Sequence, residues 1–188
     1  MKRIMTAFCA TILIAVSSYS CNEETKKEIK KKLLPSFNVN IPDIHLSIPP
    51  IAFVSGKEIP VGALKTPINL DSTIRANTAG TLGAAAITSV TVEKIVVKLK
   101  NASESNNLAN FESARMRIYS NNDTAAADIA NINFPDVFSD SLAVTPANRP
   151  EISNYLRGSQ LGYNLFWKNR RTTSKYLKLV VRVTLSVQ

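Results

Sequence analysis

The sequence predicts an all-β body, an antiparallel β-sandwich over residues 36–188, and three observations carry that prediction. Apolar and polar residues alternate with period two in about eight short segments, the pattern of strands with one buried face. Clusters of Asn, Ser, Gly and Pro separate those segments, where turns belong. Helical period shows in one short stretch only, near 150–157. With so little helix, the layer that can cover a sheet's apolar face is a second sheet.

The chain begins in a different style. Lys2 and Arg3 precede an apolar run from Ala7 to Val16, and Ser17-Ser-Tyr-Ser20 then leads to Cys21. A positive start, a short apolar centre and a small polar exit make residues 1–20 an expected export signal, removed in the mature protein. A membrane span needs about 20 apolar residues, twice this run. Ser18-Tyr19-Ser20-Cys21 resembles the cleavage box of bacterial lipoprotein signals. The resemblance implies that Cys21 gains a diacylglyceryl thioether, becomes the mature N-terminus and is acylated. It also implies the outer membrane of a Gram-negative cell, because Asn22 is not the aspartate that resembles an inner-membrane retention signal. Glu23-Glu24 resembles signals that send some lipoproteins to the outer face, so the periplasmic and surface sides both stay open. Ser18 and Ser20 equally suit an ordinary signal peptidase, whose product would display a lone reactive thiol. Residues 21–35 are then the lipidated N-terminus and a Lys-rich tether ended by Pro35. That tether reads either as a polybasic segment on anionic headgroups or as a solvated spacer.

In the body, Phe37, Val39 and Ile41 alternate with polar neighbours, and Ile44, Leu46 and Ile48 do so again after Pro42. Prolines at 35, 42, 49, 50, 60 and 67 suit an edge strand in short pieces, since proline cannot donate to a ladder. Residues 55–87 carry the weakest pattern, with Ile68 and Leu70 suggesting one strand. Val90 and Val92 are followed by Ile95, Val97 and Leu99, and the change of parity predicts a bulge near Glu93–Lys94. Residues 101–110 read as a polar turn. Ala114, Met116 and Ile118 alternate with Arg115, Arg117 and Tyr119, and short strands are expected at 129–134 and 142–144. Pro150 near the start and Gly158 past the end frame a short helix with Ile152, Tyr155 and Leu156 on one face. Leu161, Tyr163, Leu165 and Trp167, with the odd residues from Leu177 to Val187, predict a long hairpin that closes the domain. The whole resembles an immunoglobulin-type sandwich in the broad sense, as architecture alone, because no Cys…Trp…Cys spacing is present.

The residue inventory bears on chemistry. The two cysteines, Cys9 and Cys21, precede the body, so the body holds no disulfide, thiolate zinc site or cysteine nucleophile. His45 is the single histidine, and no nucleophile or phosphate-cradling motif occurs. The expectation is a non-catalytic protein with no cofactor and no metal. Asp136, Asp140 and Glu151 are the residues on which the alternative rests, a small carboxylate-dependent glycan-processing enzyme. Turn and cap work is their simpler use.

Charge points to binding. The chain carries 23 Lys+Arg against 14 Asp+Glu, and residues 141–188 hold eight basic groups against one acid. Outward strand positions include Lys98, Lys100, Arg115, Arg117, Lys178 and Arg182, with Arg170 and Arg171 at the expected hairpin tip. If these strands share a sheet, one face is basic and suits a polyanion: an acidic glycan, lipopolysaccharide phosphate or nucleic acid. Tyr119 and Phe166 would add flat rings. The simpler use of such charges is to block edge-to-edge aggregation. A third class is structural: residues 177–187 could be donated to a protein partner in a pilus-like surface assembly. The sequence therefore predicts an exported, lipid-anchored module that binds or builds.

Overall fold

A computed structural model describes residues 36–67, 69–121 and 125–188. The expected signal, Cys21 and the tether lie outside the described residues. Ser36–Gln188 forms one compact unit.

The body is a sandwich of two antiparallel sheets, as the period-two pattern requires. Sheet A contains β1 (Phe37–Asn40), β2 (Ile44–Ile48), β4 (Val90–Leu99), β7 (Ser141–Val144) and β9 (Leu177–Val187). Sheet B contains β3 (Glu58–Pro67), β5 (Phe111–Ser120), β6 (Ala127–Asn133) and β8 (Gln160–Asn169), in the order β3-β8-β5-β6. In sheet A, β9 is central, with β4 and then β7 on one side and the β1–β2 pair on the other.

Every odd residue of β9 is buried, without interruption. Both of its neighbours take one extra residue at the same level. In β4, Val92 faces Leu185 but Lys94 faces Thr184, so Glu93 is the inserted residue of the expected bulge. On the other side, Asn40 faces Thr184 while Ile44 faces Val181, so the stretch through Pro42 absorbs one residue more than β9 does. A one-residue slip would turn every later side chain outward. The insertions instead return Ile95, Val97 and Leu99, and likewise Ile44 and Ile48, to the core.

Trp167 of β8 anchors the filling between the sheets. Phe111 meets it edge-on at 4.2 Å between ring centroids, and Phe134 stacks on it at 5.2 Å. Such geometries suit the ring quadrupoles and add about 0.5–1.5 kcal/mol per pair to burial.

Two expectations are corrected. The segments 161–167 and 177–187 do not form a hairpin: β8 belongs to sheet B and β9 to sheet A. Both strands bury their odd residues, and they do so by facing one another across the core. The link between them is pinned at the buried Thr173, whose amide donates to the Ile51 carbonyl and whose Oγ1 accepts from the Ile51 amide, each at 2.9 Å. Secondly, a helix, α1 (Leu70–Asn77), stands where a strand near Leu70 was expected. Asn69 caps it by accepting from the Ser72 amide, Asp71 pairs with Arg75 one turn on, and Leu70 and Ile74 share its buried face. The short helix expected near 150–157 is present as α2 (Ser153–Leu156); it begins only at Ser153 because Glu151 bridges to Thr91 and the Ile152 amide donates to the Val90 carbonyl. Residues 58–67, unread in sequence, form β3, and its place at the edge of sheet B accommodates Pro60 and Pro67.

The strand directions give the sandwich two poles. One, the loop pole, gathers the connections 49–57, 100–110, 134–140 and 170–176. The other holds α1, α2, the last residue Gln188 and the start of β1, where Phe37 faces Val187. Eleven residues of β9 separate them, about 33 Å at the rise of a strand.

Candidate functional site: a lysine face on sheet A

The eight basic positions expected on one face fall in three places, because the strands that carry them belong to different sheets. Lys98 on β4, Lys178 and Arg182 on β9, and Lys100 just past β4 lie exposed on the outer face of sheet A. Lys98 faces Val180, whose other neighbour is His45 on β2. The Lys100 amide donates to the Lys178 carbonyl at 2.8 Å, which makes those two residues direct neighbours. Lys94 on β4 is exposed farther along the sheet. Neighbouring side chains on one face stand about 5 Å apart and diagonal ones about 7–8 Å, well inside mutual electrostatic reach.

Of this group Arg182 alone is neutralised among the described residues. Its guanidinium holds Asp43 through two contacts, 2.9 and 2.8 Å. Those hydrogen bonds keep the Asp43 carboxyl below its usual range, and the charges of His45 and Lys100 act in the same direction. No acidic side chain pairs with Lys98, Lys100 or Lys178 among the described residues. The result is a row of uncompensated ammonium groups beside the half-buried stem of Val96 and the buried Val180.

Sheet B treats its cations differently. Arg115 on β5 reaches across β8 to Glu58 on β3 at 2.6 Å, and also to Asp128 on β6 at 3.2 Å. On the way its guanidinium lies over the Phe166 ring, 4.5 Å from the centroid. Arg117 shares Asp128 at 3.2 Å and donates to the Ala126 carbonyl. Lys168 pairs with Glu112 at 2.7 Å. Tyr119, the other expected flat ring, covers Gly162, where a Cβ would collide with it. These groups staple the strands of sheet B together and are already occupied.

Arg170 and Arg171 lie at the loop pole, in the link between the sheets rather than at a hairpin tip. Arg170 donates to the carbonyls of Ala109, Phe111 and Phe134, joining three segments, while Arg171 pairs with Asp136 at 2.6 Å.

The carboxylates singled out from sequence are not brought together. Asp136 and Asp140 belong to the loop pole, and Glu151 to the opposite pole. Glu151 accepts from the Ser89 hydroxyl and from the amides of Val90 and Ser153. Burial alone would raise its carboxyl, but those hydrogen bonds outweigh it and hold the group below its usual range. No cluster of three His, Cys, Asp or Glu suited to a metal occurs among the described residues.

Sequence reasoning missed two features of the loop pole. Residues 101–110, read as a simple polar turn, fold into an asparagine cap in which Asn106, Asn107 and Asn110 are buried. Asn107 accepts from the Ala109 amide, and Asn110 accepts from the Asn107 amide and donates to the Thr172 carbonyl. In addition, the exposed large apolar residues Phe53, Val54, Val137, Phe138 and Tyr176 all fall in the connections of this pole. Their signal was present: Phe53-Val54 and Val137-Phe138 are adjacent apolar pairs beside turn residues, off the strand period.

Comparison with known protein families finds no match, and comparison with curated proteins finds none. Solved structures do match. A chain in the structure of infectious bursal disease virus, Gt strain, aligns with 81% of this chain at 12% identity and a TM-score of 0.36. This chain covers 32% of that one. The decameric BFDV capsid protein aligns with 81% of this chain and 97% of its own length, at 9% identity and a TM-score of 0.34. The family 32 CBM from C. perfringens NanJ, solved in complex with galactose, aligns with 78% of this chain and 99% of its own, at 8% identity and a TM-score of 0.35.

Proposed function

We propose that this protein is an exported, lipid-anchored binding module of a Gram-negative outer membrane, acting without catalysis to hold an acidic glycan on the outer face of sheet A. The observation that carries the reading is the row Lys98, Lys100 and Lys178, exposed and without an acidic partner among the described residues. On sheet B, by contrast, Arg115, Arg117 and Lys168 are neutralised by neighbouring acids and are not left for a partner. A flat sheet face with point charges a few ångström apart suits an extended polyanion better than a compact ligand. The anchor on Cys21 and the export signal are the sequence's contribution to this reading.

The test is retention of the full chain, in detergent, on immobilised heparin as a polyanionic probe. Each lysine near an anionic surface contributes about 1 kcal/mol, so replacing Lys98, Lys100 and Lys178 together by Ala should weaken binding on the order of 100-fold. Elution should move to lower salt, since exposed charges are screened within about 10 Å at 0.1 M. Unchanged retention of the triple variant would remove the basis of the proposal.

A further inference from the structure

We propose that the loop pole holds a second binding site, for an oligosaccharide bearing no acid groups. The site is a cleft of about 320 Å³ between the asparagine cap and the loop that carries Val137 and Phe138. That volume lies at the lower end of the range of small-ligand pockets, about 300–1,000 Å³, which is room for one or two sugar rings.

The chemistry of the walls selects the ligand. Phe138 is 61% exposed and Val137 62%, so the lip offers an apolar surface that none of the described residues covers. An aromatic ring of this kind takes the C–H face of a pyranose. Asn107 and Asn110 make the floor, and their hydrogen bonds to backbone hold it in one shape before any ligand arrives. Arg170 adds rigidity from below through its three carbonyls. The rim carries Glu104, Asp136 and Arg171. Carboxylates accept from sugar hydroxyls and the guanidinium donates to them, so both halves of a hydroxyl's hydrogen-bonding capacity are met.

The pairing of the cations decides against an acidic ligand. Arg171 is held by Asp136 at 2.6 Å, Arg170 lies 3.7 Å from the same carboxylate and donates to three carbonyls, and Glu104 has no cationic partner among the described residues. A carboxylated or sulfated sugar would meet no unpaired cation here, whereas the lysine face offers three. The cleft at the other pole is larger, about 370 Å³, but it lacks an aromatic lip.

The experiment uses the full chain in detergent on an array of neutral, amino and acidic oligosaccharides, read in about 1 M salt, where screening acts within about 3 Å. Neutral or amino oligosaccharides should be retained, and Phe138→Ala and Glu104→Gln should each lower affinity about tenfold. The Lys98, Lys100 and Lys178 triple variant should bind them as the parent does. Because Phe138 lies outside the core, its variant should keep the parental thermal transition, which separates loss of binding from loss of fold. Retention of acidic sugars only, lost in high salt and in the triple variant, would overturn the cleft and leave the lysine face standing. Neutral binding that survives Phe138→Ala would also overturn it. Neutral binding that fails in Phe138→Ala, with no heparin retention by the parent, would uphold the cleft and remove the lysine face.

Discussion

Arg115 and Lys98 are both basic residues on the outside of a strand, yet one is spent and the other is free. The difference lies in what the next strand presents. Arg115 meets Glu58 and Asp128, which are distant in sequence and adjacent in space, whereas Lys98 has Val180 and Ser141 across the ladder. No local pattern around either residue contains that information. Glu151 illustrates the same point for acids: its partners come from Ser89 and Val90, far earlier in the chain. Those hydrogen bonds favour the ionised carboxylate in the folded state. Its contribution is therefore complete above the ordinary value of 4.5 and is lost as pH falls through the lowered folded value. Asp43, Glu58 and Asp71 are shifted in the same direction by Arg182, Arg115 and Arg75. Thermal unfolding measured from pH 7 to pH 3 should show stability declining below about pH 4.5. Glu151→Gln should be less stable than the parent near neutrality, by about 1 kcal/mol for hydrogen bonds to a partly exposed charge, and the gap should close in acid. A gap independent of pH would show that the carboxylate's charge is not what those donors recognise.

Single strands were legible in sequence; their neighbours were not. The bulge at Glu93 could be read because it breaks parity inside one segment, and the structure places it between Val92 and Lys94. Deleting Glu93 removes the inserted residue and leaves Val92, Ile95, Val97 and Leu99 in unbroken alternation against the same β9 partners, so their side chains should stay in the core. Turning those three side chains outward would cost roughly 2–5 kcal/mol each, a sum comparable with the 5–15 kcal/mol that holds a typical domain together. The deletion should therefore keep a cooperative unfolding transition by circular dichroism. Glu93→Ala keeps the register and gives up only an exposed pair with Arg149, so it should stay within about 1 kcal/mol of the parent. A deletion variant without a cooperative transition would refute the register argument. The hairpin expectation failed for a related reason. Two strands that bury their odd residues look alike whether they lie side by side or face each other across a core. α1 escaped notice because two apolar residues, Leu70 and Ile74, are too few to show a helical period, although the Asn69 cap and the Asp71–Arg75 pair were in view.

For the whole molecule, the period-two pattern and the scarcity of helix were enough to indicate a two-sheet sandwich, since few other layers can bury so many half-apolar strands. Which surface each strand displays depends on sheet membership, and that is why four of the eight expected basic residues share a face while the others do not. The proposed lipid attachment is tested at this scale as well. Mass spectrometry of the protein extracted from membranes should find a chain beginning at Cys21 and carrying three acyl chains, and Cys21→Ser should release it from the membrane fraction. A mature product with a free Cys21 thiol would refute the anchor. The position of β9 has a further effect, on timing. It is the last of the described strands and the centre of sheet A, so β1 and β2 have no strand partner, and β4 has only β7, until it arrives. Pairing the first strand with the last gives long-range contacts that form slowly, in milliseconds to seconds for sandwiches of this kind. The ribosome adds residues at about 5–20 per second, so everything ahead of β9 emerges without the strand it must dock on. Under the proposed export, that order would act as a built-in delay: sheet A stays open, and the chain slack enough to pass a narrow channel, until β9 has been made.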